Sequence, residues 1–225
     1  ESCQVTVVVV TYNSADVIEG LLDSLPAAAP ADALDVVVVD NGSSDNTVAI
    51  VEGYPSVTLV RSHNDGYAAG INRGVRASSG SGPVLVLNPD VRLGQDCVGE
   101  LREGLGWPGA GIVVPRLLDE DGNLRLSLRR DISVLRIAGL NWTHIPAFSE
   151  AYTEPEMYDR PVAVPWAEGS VMMISRECLE RVGSWDESYF LYSEETDFSL
   201  RARDAGFLTY YQPDAEAVHI GGASG

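Results

Sequence analysis

Short, continuous apolar runs that alternate with helix-like segments constrain the fold of this chain most strongly. Residues 5–10, 36–39 and 84–87 consist almost entirely of valine and leucine, as expected of strands buried on both faces of a sheet. Three helical segments, each preceded by a strand, are predicted before residue 83: 18–25, 47–52 and 67–78. Strands and helices that alternate with short connections predict a parallel sheet with right-handed crossovers.

The other predicted elements are shorter and less regular. Pro26 and Pro30 should close the first helix, and Asp121-Gly122 should form a hairpin turn between the apolar segments on either side. Ser193 is expected to cap a helix near the end of the chain. The segment 131–165 has no clear period and is predicted to be irregular. Further strands are predicted at 57–61, 111–115, 171–174, 207–211 and 217–220, and further helices at 98–105 and 177–182.

The composition excludes several functional classes. The net charge is −18 and all 15 basic residues are arginine, which disfavours binding to nucleic acid or to anionic membrane surfaces through bulk charge. No apolar run approaches the roughly 20 residues that span a bilayer. The three cysteines are far apart and suggest neither a disulfide framework nor a metal site, which fits a reduced, cytoplasmic setting.

Polar residues follow three of the predicted strands at the point where each strand ends. Thr11-Tyr12-Asn13 follows the first, Asp40-Asn41-Gly42-Ser43 the second and Asn88-Pro89-Asp90 the fourth. Ligands bind at this edge of open α/β sheets, and a carboxylate fixed by a proline turn suits a divalent cation. Ordinary turn chemistry would explain each stretch alone, but their co-occurrence favours a ligand site. The sequence contains neither a dinucleotide fingerprint after the first strand nor a phosphate-binding loop with lysine.

Three further features carry chemistry. Glycine and alanine in residues 64–74 permit the close approach of a ligand or of another backbone. Glu194 and Glu195 follow an aromatic run, and a partly apolar cleft there would raise a carboxyl pKa and suit it to general-base work. The helix dipole would favour the same carboxylates for structural reasons alone. His219 precedes two glycines that admit a bound group, although a lone histidine in a strand is more often a packed residue.

Taken together, these motifs resemble those of the family 2 glycosyltransferases of the GT-A fold, and especially of their rhamnosyltransferase-like members. The matching segments lie in the family's order and span nearly the whole chain: 8–13, 37–45, 64–74, 87–90, 169–174, 183–200 and His219. The resemblance implies an α/β fold with a mostly parallel central sheet flanked by helices. It also implies a single domain, with a nucleotide-sugar-binding half at residues 1–115 and an acceptor and catalytic half at residues 116–225.

The resemblance further implies the inverting transfer of a sugar, either rhamnose or another hexose, from a dTDP- or UDP-sugar. Mg²⁺ or Mn²⁺ would be held by Asp90 and His219, since the family's usual pair of metal-binding aspartates is reduced here to Asn88-Pro89-Asp90. The donor site implied by the family motifs comprises Thr11, Tyr12, Asn13, Asp40, Gly42, Asn64, Gly66, Asn72, Asn88 and Asp90.

On the acceptor side, the resemblance implies that Glu195 is the general base. Glutamate replaces the commoner aspartate at this position, so Glu194 remains a rival. A hydroxyl of a glycan or lipid-linked acceptor would contact Trp166 and Glu168. We expect a cytoplasmic protein without a transmembrane segment that can associate with the inner face of the membrane through its acceptor. Because the chain starts at Glu1 without a methionine, we also expect it to be part of a longer protein.

Two other functions remain open from the sequence. A sugar-1-phosphate nucleotidyltransferase shares the nucleotide half of the fold, but that chemistry favours a basic, glycine-rich loop where this chain has Thr11-Tyr12-Asn13-Ser14. A non-catalytic module that binds nucleotide sugars would have no need of Asp90 and Glu195. Release of nucleoside diphosphate rather than pyrophosphate would separate the transferase from the first alternative.

Overall fold

A parallel sheet built from the first four strands forms one side of the molecule. The structure, a computed structural model, describes residues 4–131 and 149–221. Strands β1 (Gln4–Thr11), β2 (Ala33–Asp40), β3 (Val57–Arg61) and β4 (Val84–Leu87) pair in parallel in the order β3-β2-β1-β4. The predicted β-α units are therefore confirmed, and the ends of β1 and β2 are in register because Thr11 pairs with Asp40.

Three helices connect these strands: α1 (Ile18–Ala28), α2 (Thr47–Glu52) and α3 (Tyr67–Ala77). The prediction that Pro26 closes α1 is wrong, since the helix continues through this residue to Ala28. Ala28 is fully buried, so tertiary packing outweighs the local cost of proline in the last turn. Alternate valines of β1 enter separate cores on the two faces of the sheet, which explains its continuous apolar sequence.

The rest of the chain adds strands to the same sheet and also forms a separate two-stranded sheet. Its elements are β5 (Val91–Leu93), α4 (Cys97–Gly104), β6 (Ala110–Leu118), β7 (Leu128–Arg129), β8 (Val162–Val164), β9 (Trp166–Ala167), β10 (Val171–Ile174), α5 (Arg176–Val182), α6 (Glu194–Asp204) and β11 (Leu208–His219). No helix in the described part of the chain is long and apolar enough to cross a membrane. Cys97 and Cys178 are buried free thiols, whereas Cys3 lies outside the described residues.

Strand order determines which loops meet at one edge. The sheet continues from β4 to β10, β6, β11 and β5, and β10 runs antiparallel to both of its neighbours. Val171, at the start of β10, pairs with Leu87, at the end of β4. His219, at the end of β11, pairs with Val91 directly after Asp90. The residues before β10 and the last residue of β11 are therefore brought to the carboxyl end of β4.

Three sequence predictions in this half differ from the structure. The hairpin at Asp121-Gly122 is reduced to one bridge between Leu118 and Leu124, because the chain then turns away and β7 pairs with β9. The strands predicted at 207–211 and 217–220 form one strand, β11, with a register shift between Gln212 and Glu216 that accommodates an internal proline. Ser193 occupies the N-cap position of α6, but its side chain makes no capping hydrogen bond. Of the segment predicted to be irregular, residues 132–148 lie outside the described residues.

The close packing of α3 on β1 leads to a stability prediction. A Cβ atom added to Gly74 would lie 2.4 Å from Cγ1 of Val8, a buried β-branched side chain with little room to move. We expect Gly74→Ala to lower the free energy of unfolding by about 1–3 kcal/mol, despite the better helix propensity of alanine. Urea unfolding would measure the change, with Arg76→Ala on the exposed side of the same helix as the control. An unchanged midpoint for Gly74→Ala would contradict this packing.

Candidate active site at the carboxyl edge of the sheet

Asp40 organises the loop that follows β2. Its side chain is buried, and its Oδ2 accepts hydrogen bonds from the backbone N–H groups of Gly42 at 3.2 Å and Ser43 at 3.0 Å. Its Oδ1 accepts bonds from the hydroxyls of Thr11 at 3.2 Å and Ser43 at 2.5 Å. Gly42 has a φ of +83°, a conformation that glycine adopts without strain. The predicted donor residues Thr11, Asp40 and Gly42 thus form one connected group.

The loop after β1 is tied to this group. The backbone N–H of Asn13 donates to the Ser43 hydroxyl at 2.8 Å, and Asn13 Oδ1 accepts from the Ser44 N–H at 2.8 Å. Tyr12 stands between Thr11 and Asn13 in the chain, and 45% of its surface is exposed. An exposed aromatic ring beside a rigid polar loop is suited to stacking against a planar group.

The start of α3 forms the next part of the site. Asn64 Oδ1 accepts the Gly66 N–H at 3.3 Å, and Gly66 has a φ of +100°. A Cβ on Gly66 would lie 2.7 Å from the carbonyl oxygen of Phe190, and that oxygen also accepts the Tyr67 N–H at 2.9 Å. The Tyr67 hydroxyl donates to Asn88 Oδ1 at 2.7 Å. Two predicted donor residues, Gly66 and Asn88, are therefore linked through Tyr67.

Asn72 has a different position from the one predicted. Its side chain is buried, and its Oδ1 accepts the Trp185 N–H at 3.0 Å while its Nδ2 donates to the Trp185 carbonyl at 2.9 Å. Nδ2 also donates to Glu187 at 2.8 Å. These bonds connect α3 to the segment before α6, so the side chain of Asn72 is occupied within the fold and does not face a donor as predicted.

Asp90 and His219 meet as predicted. His219 Nε2 lies 3.3 Å from Asp90 Oδ1, and both side chains are largely buried. Burial would raise the pKa of Asp90, but the neighbouring His219 and Arg125 outweigh it and lower that pKa. Burial would conversely lower the pKa of His219, yet the Asp90 and Glu168 carboxylates raise it to about 9. The site therefore concentrates charged groups in a largely buried region.

This pair fits a divalent cation. Asp90 Oδ1 is buried and has the His219 ring beside it at 3.3 Å, so a cation held between the two side chains would find ligands on both. Adjacent ligands of an octahedral ion with bonds of about 2.1 Å lie about 3 Å apart, close to the 3.3 Å between Asp90 Oδ1 and His219 Nε2. Within residues 4–131 and 149–221, no three His, Cys, Asp or Glu side chains are arranged to hold a metal by themselves. Further ligands would come from water and bound phosphate groups, as is common for Mg²⁺.

The two residues predicted to contact an acceptor have other partners. Glu168 Oε1 lies 2.8 Å from His219 Nδ1 and 3.2 Å from Nη2 of Arg125. Trp166 is buried, and its Nε1 donates to the backbone carbonyl of Arg130 at 3.1 Å. Trp166 Nε1 and Glu168 Oε1 therefore bind groups within the fold, and contact of either residue with the acceptor stays a prediction.

Glu194 and Glu195 begin α6 beside this edge. Glu194 is 5% exposed, its Oε2 has no hydrogen-bond partner, and burial raises its pKa to about 7. Burial also raises the pKa of Glu195, with a contribution from the Glu168 carboxylate. Glu195 packs against Gly169, just before β10. A Cβ atom added to Gly169 would lie 2.6 Å from the Cβ of Glu195. The pKa of both carboxyl groups is therefore raised above its ordinary value, the direction that strengthens a carboxylate as a base.

The raised pKa of Glu194 predicts a pH dependence of stability. The folded state holds this proton up to about pH 7, whereas the unfolded chain loses it near pH 4.5. The folded state therefore binds more protons between these values, and stability falls as the pH rises through them. We expect Glu194→Gln to remove about 2 kcal/mol of this fall between about pH 5.5 and 7.5. Urea unfolding at several pH values would measure it, and parallel curves for the variant and the unaltered protein would contradict it.

Sequence reasoning missed Tyr67, Arg125 and Arg129 as individual site residues. Burial raises the pKa of Tyr67 well above the ordinary range, and the nearby charges of Glu194, Glu195 and Asp90 raise it further. Arg125 contacts Glu168, and Arg129 lies near both Glu168 and Glu195. The available signal was the segment 125–130, which holds three arginines in a strongly acidic chain.

Known proteins resemble this chain in both sequence and fold. The sequence model of glycosyl transferase family 2 matches residues 6–183. The N-acetylglucosaminyl-diphospho-decaprenol L-rhamnosyltransferase of Mycobacterium tuberculosis is 34% identical over 95% of this chain and 75% of its own length. The low-salt glycan biosynthesis hexosyltransferase Agl10 of Haloferax volcanii is 30% identical over 95% of this chain and 66% of its own length.

Solved structures share the fold. The mannosyltransferase PcManGT of Pyrobaculum calidifontis, determined with GDP-Man and Mn²⁺, superposes with a TM-score of 0.69 at 24% identity. This match covers all of the present chain, which spans 59% of that protein. GalNAc-T7, determined with UDP, GalNAc and Mn²⁺, superposes with a TM-score of 0.72 at 15% identity, over 45% of its length. The predicted GT-A fold is confirmed, and the chain belongs to glycosyl transferase family 2.

Proposed function

We propose that this domain transfers a hexose, with inversion at the anomeric carbon, from a nucleoside-diphosphate donor to a hydroxyl of a glycan or lipid-linked acceptor. The observation that carries the proposal is the meeting of three chemical groups at one sheet edge. They are the polar loop around Asp40, the buried pair of Asp90 and His219, and the desolvated carboxylates of Glu194 and Glu195.

In the proposed donor site, the loops after β1 and β2 hold the nucleoside while Asp90 and His219 face the diphosphate. The residues assigned to the donor are Thr11, Tyr12, Asn13, Asp40, Gly42, Asn64, Gly66, Asn88 and Asp90. A divalent cation, Mg²⁺ or Mn²⁺, supplies positive charge to the leaving diphosphate when it is bound at Asp90 and His219. The chain has no lysine for this purpose, and Arg125 is already paired with Glu168.

On the acceptor side, Glu195 takes the proton of the attacking hydroxyl. Burial raises the pKa of this carboxyl, which strengthens it as a base. Attack from the side opposite the leaving group inverts the anomeric centre, and the sugar passes through a state with oxocarbenium character. In this proposal residues 1–115 serve the donor and residues 116–225 serve the acceptor and the base.

The relatives suggest donor and acceptor classes to test first. The mycobacterial relative is named for transfer of L-rhamnose to a lipid diphosphate, so dTDP-rhamnose and a polyprenyl-diphosphate sugar form the first pair. UDP-sugars are the second donor class. An acceptor of this kind would bring the domain to the cytoplasmic face of a membrane, where we propose that it acts.

A two-stage experiment tests this function. A thermal-shift screen of dTDP, UDP and GDP with Mn²⁺ would identify the nucleotide, and the matching sugar donor would then be incubated with a polyprenyl-diphosphate acceptor. We expect nucleoside diphosphate and a glycosylated lipid, with the anomeric configuration of the product, read by NMR, opposite to that of the donor. Release of pyrophosphate, or nucleotide binding without turnover by the whole protein, would overturn the proposal.

A further inference from the structure

We propose that Glu168 is a positioning residue that orients the His219 ring so that Nε2 faces the cation site beside Asp90. This inference deepens the proposed function and rests on its assignment of a cation to Asp90 and His219. Glu168 was first expected to touch the acceptor, and the contacts of its side chain point to another role.

The geometry places His219 between two carboxylates. Its Nδ1 lies 2.8 Å from Glu168 Oε1, a hydrogen-bond distance, and its Nε2 lies 3.3 Å from Asp90 Oδ1. A hydrogen bond at Nδ1 decides which way the ring faces and which nitrogen is left for a cation. Carboxylates commonly hold metal-binding histidines in this manner, through the ring nitrogen remote from the metal.

Glu168 is itself held in place. Its backbone N–H donates to the Ser127 carbonyl at 2.9 Å, and Arg125 Nη2 approaches its Oε1 at 3.2 Å. Only 22% of its side-chain surface is exposed, and 11% of that of His219. Fixed main-chain and ionic partners leave this carboxylate few alternative orientations, so the direction of the bond to Nδ1 is built into the fold.

A purely structural ion pair would give a different pattern of contacts. In such a pair the carboxylate would have an arginine as its charged partner and would lie at the surface. Glu154 is an example, since it pairs with Arg130 at 2.5 Å and 39% of its side chain is exposed. Glu168 instead divides one oxygen between Arg125 and the His219 ring. The carboxylate therefore acts on the histidine, and through it on the cation site.

The test measures Mn²⁺ affinity by the loss of the free-ion EPR signal, with Mn²⁺ alone and again with saturating UDP or dTDP. We expect Glu168→Gln to weaken Mn²⁺ binding by about 10- to 100-fold. Glu154→Gln, which also removes an arginine-paired carboxylate, is the matched control and should stay within about twofold. In a His219→Ala background, Glu168→Gln should add no more than about twofold, because its effect passes through the ring.

Each outcome decides the inference. Equal Mn²⁺ affinity in Glu168→Gln and the unaltered protein would overturn it. It would also be overturned if Glu168→Gln weakened Mn²⁺ binding equally in the His219→Ala background and in the protein that keeps His219. A lower melting temperature with unchanged Mn²⁺ affinity would show a structural role alone and would also overturn it. Absence of Mn²⁺ binding in the unaltered protein would remove its basis. A protein that binds Mn²⁺ as expected but transfers no sugar would instead refute the proposed function and leave the role of Glu168 standing.

Discussion

Replacement of Glu195 by glutamine is expected to lower kcat for sugar transfer by about 10²- to 10⁴-fold, the usual contribution of a general base. Glutamine keeps the size of the side chain and its packing against Gly169 but cannot accept the proton of the acceptor hydroxyl. Donor affinity should remain within about twofold, because the donor contacts proposed for Asp40 and Asp90 are untouched. Single-turnover transfer and calorimetric titration of the nucleotide would measure the two quantities separately.

Glu194→Gln is the matched control for this prediction. The two glutamates are neighbours in the first turn of α6, and burial raises the pKa of both. We expect Glu194→Gln to retain most of the activity while changing the pH dependence of stability as described above. If Glu195→Gln transferred sugar at the normal rate and Glu194→Gln did not, Glu194 would be the base.

Replacement of Asp90 by asparagine is expected to abolish the gain in nucleotide affinity that a divalent cation provides. Asp90 Oδ1 is buried and lies 3.3 Å from His219 Nε2, and asparagine would remove its charge at nearly constant volume. Loss of one buried ionic contact costs about 2–5 kcal/mol, which is roughly 30- to 5,000-fold in Kd. Calorimetric titration of UDP or dTDP with and without Mn²⁺ would measure the loss.

The exposed Asp204 supplies the control for this second prediction. Its side chain is 71% exposed and pairs with the adjacent Arg203, so Asp204→Asn should leave nucleotide affinity unchanged both with and without Mn²⁺. A cation-dependent gain that survived in Asp90→Asn would place the metal elsewhere. Equal weakening with and without Mn²⁺ would assign Asp90 to direct donor contact.

The donor side of the site could be predicted from sequence because it follows local rules. Parallel strands place their carboxyl ends at one edge, so Thr11 and Asp40 could be expected to meet, and their Oγ1 and Oδ1 atoms lie 3.2 Å apart. The turn at Asn88-Pro89 could likewise be expected to present Asp90 at that edge. Apolar runs and proline positions were sufficient for these conclusions.

The other side depends on strand order, which no local pattern reveals. Glu168 reaches the site because β10 enters the sheet antiparallel between β4 and β6, and a hydrophobic run of four residues is compatible with either direction. Asn72 was misassigned for a similar reason, since its partner Trp185 lies 113 positions later in the chain. Polar residues in a small-residue helix serve ligands or distant backbone equally well until the tertiary contacts are known.

The contact between Gly66 and Phe190 has a consequence for how the two sides of the site communicate. The first turn of α3 is hydrogen-bonded to the Phe190 carbonyl, and no side chain fits between them. Tyr192 and Ser193, which follow in the same segment and lead into Glu194, both have left-handed backbone conformations. A ligand that shifts the start of α3 is therefore expected to shift Phe190 and the residues that lead from it to Glu194. Binding of the donor near α3 and the position of Glu194 and Glu195 are therefore expected to be coupled through this backbone contact.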